Sequence, residues 1–184
     1  SSESLQKNKN QKAAQSQKSA AEKMEQMKAK LEQMQGEMEM QSQEEDMNKL
    51  RDILENLIKL SFDQEDLMKD LSSTKTNNPQ YVKLAQQQKK LQDDSKMIED
   101  SILALSKRVP EIKSMVNREI SSINMNMGKA IESIAERQTS EAGGRQQMAM
   151  TSINNLALLL DESLKQMQAQ MRQQQCQKPG SGSC

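Results

Sequence analysis

Aromatic side chains are almost absent from this chain, and no other feature limits its possible folds as strongly. Phe62 and Tyr81 are the only aromatic residues, there is no Trp or His, and Met occurs 15 times. Because aromatic rings supply much of the buried area in globular cores, a core here has to be built from Met, Leu and Ile. Apolar residues are 34% of the chain, below the roughly 45 to 50% of a globular domain. Long helices bury only a stripe, and strong helix formers are abundant, so the sequence predicts an all-α fold.

The charge balance argues against a nucleic-acid partner. Lys and Arg total 26 and Asp and Glu also total 26, so the chain as a whole has no basic field for phosphate backbones. Only the first thirty residues lean basic, and glutamates interrupt them from Glu22 onward. We interpret these lysines as a solvated helix face.

The side chains that catalysis needs are missing from the sequence. Without His, a catalytic base must be Lys or a carboxylate of perturbed pKa, yet carboxylates such as Glu44 and Glu45 stand adjacent, as on exposed helix faces. Met24 and Met27 are spaced to share a soft Cu(I) ion, but Met also fills coiled-coil seams, which is our interpretation. We predict a chain that is not an enzyme and has no catalytic residue, cofactor or metal site.

Neither a membrane span nor a structural disulfide is expected in the body of the chain. No stretch approaches the roughly 18 apolar residues of a membrane helix. The chain begins Ser-Ser-Glu rather than with Met, so we expect a longer parent protein, through whose other parts any membrane contact is made. Cys176 and Cys184 both lie in the tail, where a disulfide closes only a short loop, and their native state stays open.

The N-terminal part of the sequence predicts a flexible polar lead-in over 1–20 and a long first helix over 21–72. From Met24 the apolar residues recur at alternating spacings of three and four, which is the heptad seam of a coiled coil. The frame shifts before Met47, which divides the helix into an arm, 21–44, and a bundle part, 45–72. We expect the arm to project as a coiled coil and to bind a protein partner or a second copy through Met24, Met27, Leu31, Met34 and Met38.

Three further helices are predicted within 78–172. Asn78 can cap a helix that starts at Pro79, and Pro110 ends that helix. The next helix should stop near Gln138, where the segment that runs to Gly143 and Gly144 supplies the turn before the last one. The seam of the second helix includes two polar residues, Gln88 and Ser95. Beyond it, 173–184 is predicted to be a flexible Gly/Ser tail.

Short connections make successive helices antiparallel, so the fold predicted is an up-down-up-down four-helix bundle with a long N-terminal helix projecting from it. The most apolar stretch, Leu156 to Leu160, is expected at the bundle centre. The candidate core residues are Leu54, Leu57, Ile98, Ile102, Ile123, Leu156 and Leu160.

Four blocks of sequence carry a resemblance to a known family: ILENLIKLSFDQEDLM from Ile53, NPQYVKLAQQQKKLQDD from Asn78, ALSKRVPEIKSMVNREI from Ala104 and MAMTSINNLALLLDESLKQMQ from Met148. In their order and spacing they resemble the C-terminal, Met/Gln-rich helical region of large membrane-anchored Bacteroidetes-type proteins, a domain of unknown function. The resemblance implies a bacterial cell-envelope setting and a membrane anchor in the parent protein, on an undetermined side of the membrane.

These observations predict a structural or interaction module, a helical scaffold or spacer of a larger cell-envelope protein. The alternative is a chaperone-like or ligand-binding module that holds apolar segments of other proteins on exposed Met and Leu side chains. For the alternative we expect an apolar groove between the first and last helices, near Leu57 and Leu160.

Overall fold

The computed structural model describes residues 2–176, with side chains from residue 15 onward apart from 16, 114, 115 and 175. These residues form four α-helices: α1 (Ser2–Ser73), α2 (Gln80–Ser106), α3 (Pro110–Ala135) and α4 (Thr139–Cys176). The described part of the chain contains no strand, so the all-α prediction is confirmed. The chain divides into two compact units, Ser1–Gln43 and Glu44–Cys184.

Two segments predicted to be flexible are corrected by the helix bounds. From Ser2 the lead-in over 1–20 belongs to α1, and α4 takes in the start of the 173–184 tail as far as Cys176. Both segments are rich in Gln, with Ala and Lys in the first, and neither has a Pro or Gly within its helical part. A shortage of apolar residues limits packing, whereas helix formation depends on these local propensities. Cys176 is disulfide-bonded; 177–184, with Cys184, lies outside the described residues.

The two proline breaks have the local geometry that the sequence predicts. Asn78 Oδ1 accepts a hydrogen bond from the Gln80 N–H at 2.9 Å, and Pro79 between them is already helical at φ −57° and ψ −21°. Val109 is in an extended conformation at φ −121° and ψ 81°, because a following proline disfavours the helical one. Pro110 then starts α3, where its missing N–H costs no hydrogen bond.

The third helix, α3, ends at Ala135, close to Gln138 as the sequence predicts. The turn to α4 is not at the glycines, which corrects that part of the prediction. Gly143 and Gly144 both lie inside α4, and the chain turns instead over 136–138. Arg137 there has φ 59°, the only positive φ of a non-glycine residue in the described chain. The glycines signalled a break, but the helix that continues around them gains packing from Ala142 and Ala149, both fully buried.

Arg137 closes α3 with a hydrogen-bond pattern that usually places glycine at its position. The Gln138 N–H donates to the Ser133 carbonyl at 2.8 Å and the Arg137 N–H donates to the Ile134 carbonyl at 3.0 Å, which is a Schellman cap. The guanidinium offsets the cost of the left-handed conformation through contacts that glycine cannot make. It donates to the Asn78 carbonyl at 3.3 Å and lies 5.3 Å from the centre of the Tyr81 ring.

Within Glu44–Cys184 the neighbouring helices run antiparallel. Asp46 pairs with Arg108 and Gln64 pairs with Gln88, so residue numbers rise along α1 as they fall along α2. The connections 107–109 and 136–138 are too short for any other direction between successive packed helices. Other hydrogen bonds between side chains of different helices are Ser61–Asn154 for α1 and α4, Asn124–Glu99 for α3 and α2, and Ser152–Ser122 for α4 and α3. Tyr81 and Thr139 also join α2 and α4.

The core of this unit contains most of the candidate core residues. Leu54 is half-buried and packs against the edge of the core, and the others are buried: Leu57, Ile98, Ile102, Ile123, Leu156 and Leu160. The two polar seam positions of α2, Gln88 and Ser95, are buried as well. Met148, which the apolar periodicity of α4 favours as a seam residue, is exposed, and Gln146 and Ala149 are buried on that helix instead.

Candidate interaction surfaces

The five residues of the predicted arm seam form an uncovered apolar face in Ser1–Gln43. Their side chains are between 50% and 69% exposed, although Met and Leu are normally among the most buried residue types. Spacings of three and four keep them on one side of α1. We call this surface the Met/Leu face: Met24, Met27, Leu31, Met34 and Met38.

Polar side chains along the same part of α1 hydrogen-bond within the helix. Gln33 Nε2 donates to Glu37 at 2.9 Å, and Lys28 lies 4.0 Å from Glu32. Such pairs, one helical turn apart, stabilise an exposed helix only slightly. The Met/Leu face is therefore bordered by ordinary solvated residues. What is unusual in this part of α1 is the exposure of the apolar side chains of the face itself.

In the other unit, the side chains of three helices meet in a fully buried amide cluster made of Gln64, Gln88 and Gln146. Gln64 and Gln88 exchange two hydrogen bonds, of 3.0 and 2.8 Å, and Gln146 Nε2 donates to Gln88 Oε1 at 2.9 Å. All three side chains have 0% exposure, and Gln146 Oε1 has no hydrogen-bond partner. Because the amides are neutral and mutually bonded, the cluster sets the alignment of the helices rather than offering reactive groups.

Sequence periodicity detects only one member of this amide cluster. Gln88 falls on the apolar seam of α2, which is why its burial could be predicted. Gln64 and Gln146 stand in Gln-rich helices where nothing local separates a buried glutamine from an exposed one. For Gln64 the one available signal is its spacing of seven residues from Leu57 and Leu71, both buried.

A second, partly buried polar group joins α3 and α4. Ser152 Oγ donates to Ser122 Oγ at 2.8 Å, and Asn126 Nδ2 donates to the Ser122 carbonyl at 2.9 Å. Asn126 Oδ1 has no hydrogen-bond partner. Small hydroxyl side chains let the two helices approach closely while satisfying their polar groups, so this group also has a packing role.

A groove lies between α1 and α2 on the surface of Glu44–Cys184. It encloses about 330 Å³, and its apolar lining consists of Ile53, Leu60, Met97 and Ile98. Met97 is 69% exposed, which makes it the accessible part of that lining. The groove is flanked by two ion pairs, Lys59–Asp63 at 2.8 Å and Lys90–Asp94 at 2.7 Å.

The apolar groove expected near Leu57 and Leu160 is not at that position. Both side chains are only 1% exposed and belong to the core. The reason is that α1 and α4 pack directly together there, as the nearby hydrogen bond from Ser61 to Asn154 at 2.7 Å shows.

The titratable groups with shifted pKa values are surface lysines. In each case a hydrogen bond donated to a carboxylate one helical turn away raises the lysine pKa, so the amine keeps its proton. A lysine that acts as a base needs the opposite shift. The pairs are Lys59 with Asp63, Lys69 with Glu65 and Lys165 with Asp161.

Among the side chains that the structure describes, no three from His, Cys, Asp or Glu are grouped so that they could hold a metal ion. No helix within residues 2–176 has both the length and the apolar content that crossing a bilayer requires.

Comparison of this chain with protein-family models, with curated proteins and with solved structures finds no match.

Proposed function

We propose that this chain is a non-enzymatic helical interaction module that binds a partner helix through the Met/Leu face of α1. The observation that carries this proposal is the exposure of all five members of that face, at 50% or more each. Seam residues at heptad spacing gain their stabilisation by packing into the seam of another helix. A continuous apolar stripe left in water marks an interaction site, whereas single exposed apolar residues do not.

The buried contents of the bundle support a scaffold rather than a catalytic role. The amide cluster and the Ser122–Ser152 group consist of neutral side chains bonded to each other, and the lysines with shifted pKa values hold their protons more firmly. A bundle with a filled core provides a rigid base for an interaction helix. The cell-envelope setting and the membrane anchor of a longer parent protein are also proposals, and they rest on the sequence resemblance.

A charged residue placed in the Met/Leu face tests the proposed function. Leu31→Glu introduces a charge at the centre of the face, and the expected result is loss of helix association with α-helix content retained. Ala29→Glu is the matched control, because Ala29 is also exposed on α1 but lies off the apolar seam. Sedimentation velocity over a range of concentrations, with circular dichroism for helix content, makes the comparison. Association that both variants leave unchanged, or that both weaken equally, contradicts the proposal.

A second candidate function uses the groove between α1 and α2 to hold apolar segments of other proteins. Its specific support is the accessible Met97 side chain above an apolar floor, since flexible Met side chains adapt to varied apolar ligands. Met97→Glu should then reduce the binding of an apolar fluorescent dye, while Met125→Glu, at a similarly exposed Met on α3, should not. Equal dye binding by both variants removes this candidate.

A further inference from the structure

We propose that the partner of the Met/Leu face is the same face of a second copy of this chain, with the two helices running antiparallel. The inference rests on the proposed function and adds the identity and direction of the partner.

The apolar residues match one another when the helices are antiparallel. In heptad terms Met24, Leu31 and Met38 occupy a positions and Met27 and Met34 occupy d positions. Antiparallel coiled coils place a residues opposite d residues. One alignment puts Leu31 opposite Met34 of the second copy and Met27 opposite Met38 of the second copy. Because the pair is two-fold symmetric, each contact occurs twice.

The charged residues beside the seam agree with this alignment. Lys30 and Glu37 both occupy g positions, and g residues face g residues across an antiparallel pair. In the same alignment Lys30 faces Glu37 of the second copy, again twice, so opposite charges meet. At the e positions Lys28 faces the neutral Gln35 of the second copy. No like charges meet across Leu31 and Met34.

The other arrangements bring like charges together. In a parallel in-register pair, g residues face the next e residues, which places Lys23 against Lys28 of the second copy on both sides. Shifting the antiparallel pair by one heptad toward the N-terminus places Lys30 against Lys30 of the second copy and Lys28 against Lys28, although Lys23 then faces Glu37. Shifting it the other way places Glu37 against Glu37, although Lys30 then faces Glu44. Only the alignment centred between Leu31 and Met34 has attractive contacts at the g positions and no contact between like charges, so the charge pattern favours it.

Charge reversal in the full-length chain tests the direction. Lys30→Glu and Glu37→Lys each turn both attractive contacts into repulsive ones and should raise the dimer dissociation constant about tenfold. The double variant restores opposite charges and should return the constant to within about threefold of the parent. Sedimentation equilibrium measures the constants, and circular dichroism checks that helix content is unchanged. Single variants without effect, or a double variant without recovery, overturn the antiparallel proposal.

Lys28→Glu distinguishes the two directions independently. In the antiparallel pair this residue faces a neutral glutamine, so the constant should stay within about threefold of the parent. In a parallel pair the change replaces a Lys–Lys contact with an attractive one, and tighter association overturns the proposal. A chain that stays monomeric at all concentrations overturns it as well. If Leu31→Glu abolishes association but charge reversal leaves it unaffected, the antiparallel direction is wrong and the proposed function stands.

Discussion

At the scale of single residues, the buried amide cluster is the feature of the bundle whose stability depends most on keeping its hydrogen bonds. A buried amide that loses its partner pays a desolvation cost of about 1 to 3 kcal/mol for each group left unpaired. Gln88 bonds to both other members, whereas Gln146 contributes one hydrogen bond and already has one unpaired oxygen. The three members therefore contribute unequally to the stability of the bundle, and mutation of each should show which contributes most.

We predict that Gln88→Leu destabilises the bundle far more than Gln146→Leu. The first change leaves both side-chain groups of Gln64 and the Nε2 of Gln146 unpaired, at a cost of about 3 kcal/mol or more. The second removes an unpaired acceptor together with one hydrogen bond, and Gln88 Oε1 remains bonded to Gln64, so its cost should be within about 1 kcal/mol. Urea titration of the two variants measures the difference. Equal losses would show that the cluster is not organised around Gln88.

At the scale of helices, local propensity and tertiary packing disagree at the start of α4. Gly143 and Gly144 weaken a helix, yet the chain continues through them because the following turns bury Ala149, Ile153 and Leu156. A Cβ atom added at either glycine meets no atom within 4 Å. These glycines carry a conformational cost without a visible steric function.

Accordingly, Gly143→Ala and Gly144→Ala should each stabilise the bundle by up to about 1 kcal/mol, because alanine loses less backbone entropy in a helix. The thermal midpoint is the measurement, and it should rise for both variants. The control is Arg137→Ala, which keeps the left-handed backbone but removes the guanidinium contacts and should lower the midpoint. A lower thermal midpoint for the glycine variants would indicate that the turn lies at the glycines, where the sequence alone predicts it.

At the scale of the whole molecule, the two compact units have different roles. Every buried apolar side chain in the described chain belongs to Met47 or to a later residue. The Ser1–Gln43 unit contributes none of them and carries the Met/Leu face instead. The buried apolar side chains and the exposed Met/Leu face thus lie in separate stretches of sequence.

Deleting residues 1–43 should therefore leave the thermal midpoint of the bundle within a few degrees of the parent and abolish association. Calorimetry and sedimentation velocity are the two measurements. Leu160→Ala in the truncated chain is the control for sensitivity, since loss of this buried side chain should cost about 2 to 5 kcal/mol. Unfolding of the truncated chain by itself would mean that 1–43 stabilises the bundle.

The helical class, the breaks at Pro79 and Pro110, and the seam of α2 with its polar members Gln88 and Ser95 could be predicted from the residues alone. These features follow from helix propensity, from the missing N–H of proline and from the periodicity of apolar residues, all of which act within a few residues. The contacts of Gln64 and Gln146 with Gln88, and the turn at Arg137, are set by the packing of the helices. Such contacts depend on the rotation and axial offset of one helix against another, because their partners lie tens of residues away along the chain.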